Sequence, residues 1–187
     1  MYRYSKVAAE KAFWGLLDEH NSAPGSRVVT GASVCPSFIV GPPRIARFDG
    51  ESLRNMKMAL EGEVPHRADT PMADVRDVAR AHVAAYEKEP RPLEYNPGRP
   101  ERYIVSTSNA IKRTHVLALL RSAFPQYSIV APDPAVGAPD ALGPHIFCGK
   151  TLADLPNTSV RDVDGSLLDM ASAMLRLGSA TPVVSEL

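Results

Sequence analysis

The 187 residues hold little of what marks a metal knuckle, a charged docking surface or a membrane span. The two cysteines, Cys35 and Cys148, lie far apart and lack metal-ligand spacing, so the expected state of each is a buried thiol in a reducing compartment. Lys plus Arg and Asp plus Glu both number 21, which leaves no net field to draw the chain toward nucleic acid or a membrane surface. No apolar run reaches the ~18 residues of a membrane span, and no signal peptide opens the chain. A soluble cytoplasmic protein with neither a nucleic-acid nor a membrane partner is expected. Glycines are also sparse where a phosphate loop would need them. The nearest pairs (Gly25 and Gly31, Gly137 and Gly143, Gly143 and Gly149) are too widely spaced for G-x-G-x-x-G or a Walker loop. There are no internal repeats and no low-complexity tract.

What is present begins at once. Met1 to Trp14 contains Ala, Glu and Lys without Gly or Pro, a composition that favours a helix. Tyr2 and Lys6 are four residues apart and share a face, which Ala9, Phe13 and Leu17 continue toward a core. A phenol beside an ammonium is a proton-transfer device, because the cation favours the phenolate. By spacing alone the same pair also fits an ordinary amphipathic surface.

A turn-rich break at 20–26 leads to β-branched Val28–Val34, expected as a buried strand ending near Cys35. Pro36-Ser37-Phe38-Ile39-Val40-Gly41-Pro42-Pro43 follows as a rigid apolar loop at that strand's C-terminal end, where open α/β sheets bind ligands. Glu51–Leu60 reads as a helix with Leu53, Met56 and Leu60 on its apolar stripe and Gly62 at C′. Ser52 at its start has two readings, a cap or a ligand contact. Met72–Val83 runs from a strand end into a helix whose expected apolar face is Val75, Val78, Ala79, His82 and Tyr86, with His82 a packed structural residue. Asp74, Arg76 and Asp77 form an ion-pair and capping network there, with Asp77 near the positive helix end. Four prolines make 89–100 a surface linker. Tyr103–Thr107 is a short strand. Lys112–Phe124 is an amphipathic helix that buries Val116, Leu119, Leu120 and Ala123, and Phe124–Tyr127 stops it. Residues 131–144 are loop. Asp164 is expected to cap a last helix, Gly165–Leu177, which turns Leu167, Met170, Ala171 and Met174 inward and has Gly178 at C′. Ser179–Leu187 is an expected mobile tail.

Three of these segments, in this order, resemble one family. Tyr2-x-x-Ser5-Lys6 with Ala9-Glu10-Lys11-Ala12-x-Trp14, the octet 36–43, and Asp74-Val-Arg-Asp-Val-Ala-x-Ala-His82 are similar to the extended short-chain dehydrogenase/reductases of the NAD-dependent epimerase/dehydratase superfamily. The likeness is to the branch of dihydroflavonol, cinnamoyl-CoA and fungal aldehyde/ketone reductases. The Phe-Pro-x-Tyr stop is also familiar there. Phe147-Cys148-Gly149-Lys150 with Leu152 and Leu155 matches a further family segment imperfectly. The resemblance implies an α/β fold, the C-terminal part of a Rossmann-type NAD(P)-binding fold plus a small, mostly helical substrate-binding part. Residues 1–45 and 70–108 would belong to the first, and 46–69 and 109–178 to the second.

It also implies hydride transfer between NADP or NAD, NADP slightly favoured, and a small carbonyl or alcohol substrate. Tyr2 would supply the proton and Lys6 would hold the nicotinamide ribose. Pro36, Ser37, Phe38 and Ile39 would line the nicotinamide end, and Ser52 would reach the cofactor. In the family the Gly-rich turn precedes the tyrosine, so the chain reads as a C-terminal half, with self-association through an exposed sheet edge. Two other readings remain: an epimerase or hydroxysteroid-type member that uses the same pair on another substrate, and a noncatalytic remnant or truncated gene product, which the missing Gly-rich turn favours.

Overall fold

The computed structural model describes residues 1–66, 69–88, 101–131 and 149–180. The expected linker 89–100, Phe147-Cys148, nearly all of the loop 131–144 and most of the tail 179–187 lie outside them. The order is α1 (Tyr2–Ser22), β1 (Ala32–Pro36), β2 (Phe38–Val40), α2 (Glu51–Leu60), β3 (Met72–Asp74), α3 (Val75–Glu87), β4 (Glu101–Val105), α4 (Arg113–Ala123), α5 (Gly149–Asp154) and α6 (Val163–Arg176). This is an α/β fold.

All the strand pairing among the described residues is parallel, β1 with β4 and β2 with β3. The two pairs meet at one place. Ser37 gives its N–H to the Val105 carbonyl at 3.0 Å, and the next residue, Phe38, gives its N–H to the Pro71 carbonyl at 3.2 Å. On the far side of β3, Thr107 donates to the Met72 carbonyl at 2.7 Å. Successive carbonyls of a strand point to opposite sides. Strand β3 therefore enters between β2 and the chain leaving β4, and the strands diverge at Ser37. The octet 36–43 is thus not the continuous loop expected. It contains β2, because the carbonyls of β3 complete its backbone pairing.

Two cores lie on this framework. Val40, Met56, Leu60, Met72, Leu120, Leu167 and Met170 join β2 and β3 to α2, α4 and α6, while Val78, Ala81, Ala84, Tyr103, Val105 and Leu155 join α3 to β4. Gly62 at C′ of α2 and Gly178 at C′ of α6 take φ of +81° and +79°, as left-handed caps require.

Several faces turn from their expected settings. β1 begins at Ala32, not Val28; Val28 and Val29 are exposed, and the Asn21 side chain occupies the Val29 backbone. Helix α3 buries Asp77, Val78, Ala81 and Ala84, leaving Val75 and Tyr86 exposed and His82 bonded to its own helix at Val78 O, 2.8 Å. The face rotated because Asp77 is drawn inward by its ion partners. In α4, Leu117 is buried in place of the exposed Ala123. α6 is capped by Asp162, which accepts from Gly165 N at 2.8 Å, while Asp164 pairs with His115 Nε2 at 2.7 Å. Leu152 is exposed and Leu155 buried.

Candidate functional site

Helix α1 buries none of its residues completely. The half-covered positions are Glu10, Trp14, Leu17 and Asn21, which mark the stripe that faces the protein; Lys6 and Tyr2 continue its spacing but are exposed. Glu10 and Trp14 take the places expected of Ala9 and Phe13. The Phe13 ring still closes on Gly31, where a Cβ would lie 2.6 Å from its Cζ, so a side chain there would push the exposed ring aside.

The contacts along this stripe fix the direction of the helix. Asn21 exchanges two hydrogen bonds with Val29 at 2.8 and 2.9 Å; Phe13 and Leu17 meet Gly31; Glu10 accepts from Ser33 Oγ at 2.8 Å. Each step up the strand meets an earlier helix residue, so α1 and β1 run antiparallel. Four helical residues rise ~6 Å and two strand residues ~6.6 Å. Continued in this proportion, Lys6 comes level with Cys35, and Tyr2 with Ser37.

Tyr2 and Lys6 are exposed at that end. The Lys6 ammonium stands over the Tyr2 ring, 5.5 Å from its centroid, as the four-residue spacing requires. Ser5 Oγ bonds back to the Tyr2 carbonyl at 2.7 Å, securing the first turn, which has no side-chain cap.

The octet residues divide among different surroundings. Pro36 is exposed at the end of β1. Ser37, at the divergence of the strands, has a buried hydroxyl with no hydrogen-bond partner among the described residues. Ile39 is 37 % exposed, whereas Phe38 turns into the core of α2 and α6. Phe38 and Ser52 meet at one cavity of ≈ 50 Å³, with Asn55, Met56, Arg113 and Met170 also in its wall. Ser52 is not the cap of α2, since Gly50 holds the N-cap position. Only by that extrapolation do Tyr2 and Lys6 fall on the side of Pro36 and Ser37, whereas Phe38 and Ser52 line a cavity of their own.

Behind the site, Gly41 ends β2 with φ +125°, and a Cβ there would stand 2.8 Å from Val75 Cγ1. Asp74 caps α3 through the Arg76 N–H at 2.7 Å and pairs with the Arg76 guanidinium, which reaches on to Asp169 at 2.7 Å. Burial raises the Asp74 carboxyl, but the hydrogen bonds and charge of Arg76 outweigh it and bring it down to about 2. Asp77, buried, accepts the Arg161 N–H at 2.7 Å and lies 3.2 Å from Arg161 Nε. This is the expected corner network, extended to Asp169 and Arg161, whose distance along the chain hid them from local reading.

The other feature missed by sequence reasoning is the seat of Glu10. Its carboxylate accepts from Ser33 Oγ at 2.8 Å and Arg102 Nε at 2.9 Å, with the Cys35 thiol 3.8 Å away. Burial pushes the Glu10 carboxyl up, yet the Ser33 and Arg102 bonds hold it below the usual carboxylate range. The continuation of the 2, 6, 10 stripe was the signal for it.

No protein-family model matches the chain. Cinnamoyl-CoA reductase 1 of Arabidopsis thaliana is 28 % identical over 183 residues, covering 97 % of this chain and 48 % of the reductase. The yeast methylglyoxal/isovaleraldehyde reductase Gre2, solved with NADPH, superposes with a TM-score of 0.68 at 26 % identity, over 92 % of this chain and 53 % of that one. Vestitone reductase from alfalfa shares the fold with a TM-score of 0.70 at 20 % identity, over 96 % and 53 %. The chain thus spans about half the length of the relatives it matches. No described helix is long and apolar enough to cross a membrane. In sequence and in Rossmann-type fold, the chain is related to the short-chain dehydrogenase/reductases of the NAD-dependent epimerase/dehydratase type.

Proposed function

We propose that these residues carry the proton-delivering part of an NADP(H)- or NAD(H)-dependent carbonyl reductase. What supports this reading is the antiparallel order of the α1 contacts with Val29, Gly31 and Ser33, which, continued toward the helix start, puts Tyr2 and Lys6 on the side of Pro36 and Ser37. Exposed Pro36 suits the edge of a planar amide ring, with the Ser37 hydroxyl, unpartnered among the described residues, behind it. A bound nicotinamide supplies or takes the hydride. Tyr2 gives its proton to the carbonyl oxygen, Lys6 stabilises the phenolate left behind and holds ribose hydroxyls, and Ile39 offers an apolar flank. Phe38 and Ser52 form the adjoining wall. NADP is the favoured form, since Gre2 was solved with NADPH. The substrate is a small carbonyl compound, in keeping with the names of the relatives.

The cofactor side is assigned to residues 1–45 and 70–108 and the substrate side to 46–69 and 109–178; one core, with Val78, Ala81, Tyr103 and Val105, lies almost wholly in the first, while the other joins Val40 and Met72 of the first to Met56, Leu120 and Met170 of the second. Among the described residues β1 pairs on one edge only, which suits self-association through the other.

The test follows NADPH oxidation with aldehydes, 2-oxoaldehydes and aromatic acyl thioesters. Tyr2→Phe should cost about 10²- to 10⁴-fold in kcat, the usual worth of a general acid. Near-normal turnover in that variant would remove the mechanism.

A further inference from the structure

The Tyr2–Lys6 pair sits on a helix with no fully buried residue, so apolar packing alone does not set its height or rotation. Toward the far end, Asn21 holds Val29, and Phe13 and Leu17 rest on Gly31. A ring lying on a glycine can slide along the strand. Glu10 cannot slide as easily. It lies one turn from Lys6 on the same stripe and touches two strands at once. Ser33 on β1 and Arg102 on β4 stand opposite each other in the parallel register, and both donate to the same oxygen, Glu10 Oε1.

We propose that Glu10 is a positioning residue, whose carboxylate clamps α1 to the Ser33–Arg102 cross-strand pair and so holds Tyr2 and Lys6 at the Pro36–Ser37 end. This rests on the reading that Tyr2 and Lys6 act on a bound carbonyl. A carboxylate that accepts from a hydroxyl and a guanidinium is charge-assisted and directional. Anchoring on two strands fixes both translation along β1 and rotation about the helix axis. The consequence is large, because a displacement of about 1 Å at reacting groups can cost on the order of 10²-fold in rate. The groups of other elements that face Glu10 are Arg102 from β4 and the Cys35 thiol and Ser33 hydroxyl from β1; on its own helix Lys6 precedes it by one turn and the Trp14 indole, one turn beyond, also bears on its carboxylate.

The chain carries its own reporter. Trp14, its one tryptophan, lies one turn beyond Glu10, edge-on to Phe13 with ring centroids 4.8 Å apart and its indole nitrogen buried. Trp14 emission and acrylamide quenching are measured in the wild type, Glu10→Gln, Glu10→Ala and Arg102→Ala, with the circular-dichroism melt of each. Expected is a red-shifted emission and quenching raised about twofold in all three variants, most in Glu10→Ala, with the main melt retained. Unchanged Trp14 signals in Glu10→Ala and Arg102→Ala overturn the proposal. So does release of Trp14 only in variants whose whole melt collapses, which makes Glu10 a general stability residue.

The same preparations are assayed for NADPH-dependent carbonyl reduction. Glu10→Gln should lower kcat about tenfold or more with the carbonyl KM little changed, and Tyr2→Phe added to it should cost less than in the wild type. A large rise in KM with kcat unchanged overturns the proposal. A wild type without reductase activity even at NADPH raised until binding saturates ends the reductase reading, while the Trp14 measurements still decide the clamp.

Discussion

The backbone N–H of Arg161 donates to Asp77 Oδ2 at 2.7 Å, binding the approach to α6 to the first turn of α3 across 84 residues of chain. The Asp77 side chain is only 3 % exposed, and Arg161 Nε and Arg80 Nη1 lie 3.2 and 3.7 Å from its other oxygen. A buried carboxylate with one backbone donor and two guanidinium charges beside it is expensive to remove, because the Arg161 N–H and the charges stay behind without it. Asp77→Ala should destabilise the chain by about 2–4 kcal/mol, read as a lower urea midpoint, and Asp77→Asn by less. A midpoint within error of the wild type would mean that water replaces the carboxylate there.

Acid should act on Asp74. Its folded carboxyl titrates at about 2, below the ordinary 3.8. A depressed folded value stabilises the native state above the unfolded value and loses that contribution as pH falls through the folded one. Unfolding free energy should therefore decline between pH ~4 and ~2, by about 2 kcal/mol from this group. Arg76→Met should flatten that slope. An equally steep decline in Arg76→Met would place the acid sensitivity elsewhere.

Gly41→Ala should cost about 1–3 kcal/mol. Two causes combine: φ of +125° is strained for any L side chain, and the new methyl would meet Val75 Cγ1 at 2.8 Å. Gly15→Ala is the control, since nothing lies near its Cβ position and helix propensity improves. Melting temperatures compared across the two variants decide it, with a fall expected for the first and none for the second.

NADPH should bind these 187 residues weakly. The sequence contains no Gly-rich turn on which pyrophosphate could rest, so the contacts left are those of the nicotinamide end. Calorimetric titration should give a dissociation constant well above 1 μM, which corresponds to about −8 kcal/mol. Low-micromolar affinity would reveal a phosphate anchor of another kind.

Self-association should depend on concentration. The outer edge of β1 has no strand partner among the described residues, and Tyr2, Tyr4, Val7, Phe13 and Leu16 of α1 are exposed. Light scattering after size exclusion should show mass rising with loading, as unpaired edges and apolar faces predict. A monomer at all concentrations would mean that the edge is covered from within the chain.

Local chemistry alone determined much of this protein. The spacing of Tyr2 and Lys6 sets the ammonium over the ring, because four residues make just over one helical turn. Glu51–Leu60 is a helix, and the chain turns at Gly62 and Gly178, because periodic apolar residues and a left-handed glycine are sufficient instructions. The Asp-Val-Arg-Asp run was legible as a cap for the same reason: Asp74 needs only its neighbour Arg76.

Tertiary structure decided the rest wherever a residue's partner was distant in sequence. α3 turned Asp77 inward and Val75 and Tyr86 outward because Arg161, far along the chain, satisfies the buried charge. Asp162 took the cap of α6 because His115 engages Asp164. Phe38 and Ile39 parted because β3 enters between diverging strands and gives β2 its pairing. Glu10 became the seat of α1 for the same reason. Its donors, Ser33 and Arg102, come together only when β1 and β4 pair in register, and no window of sequence contains that pairing.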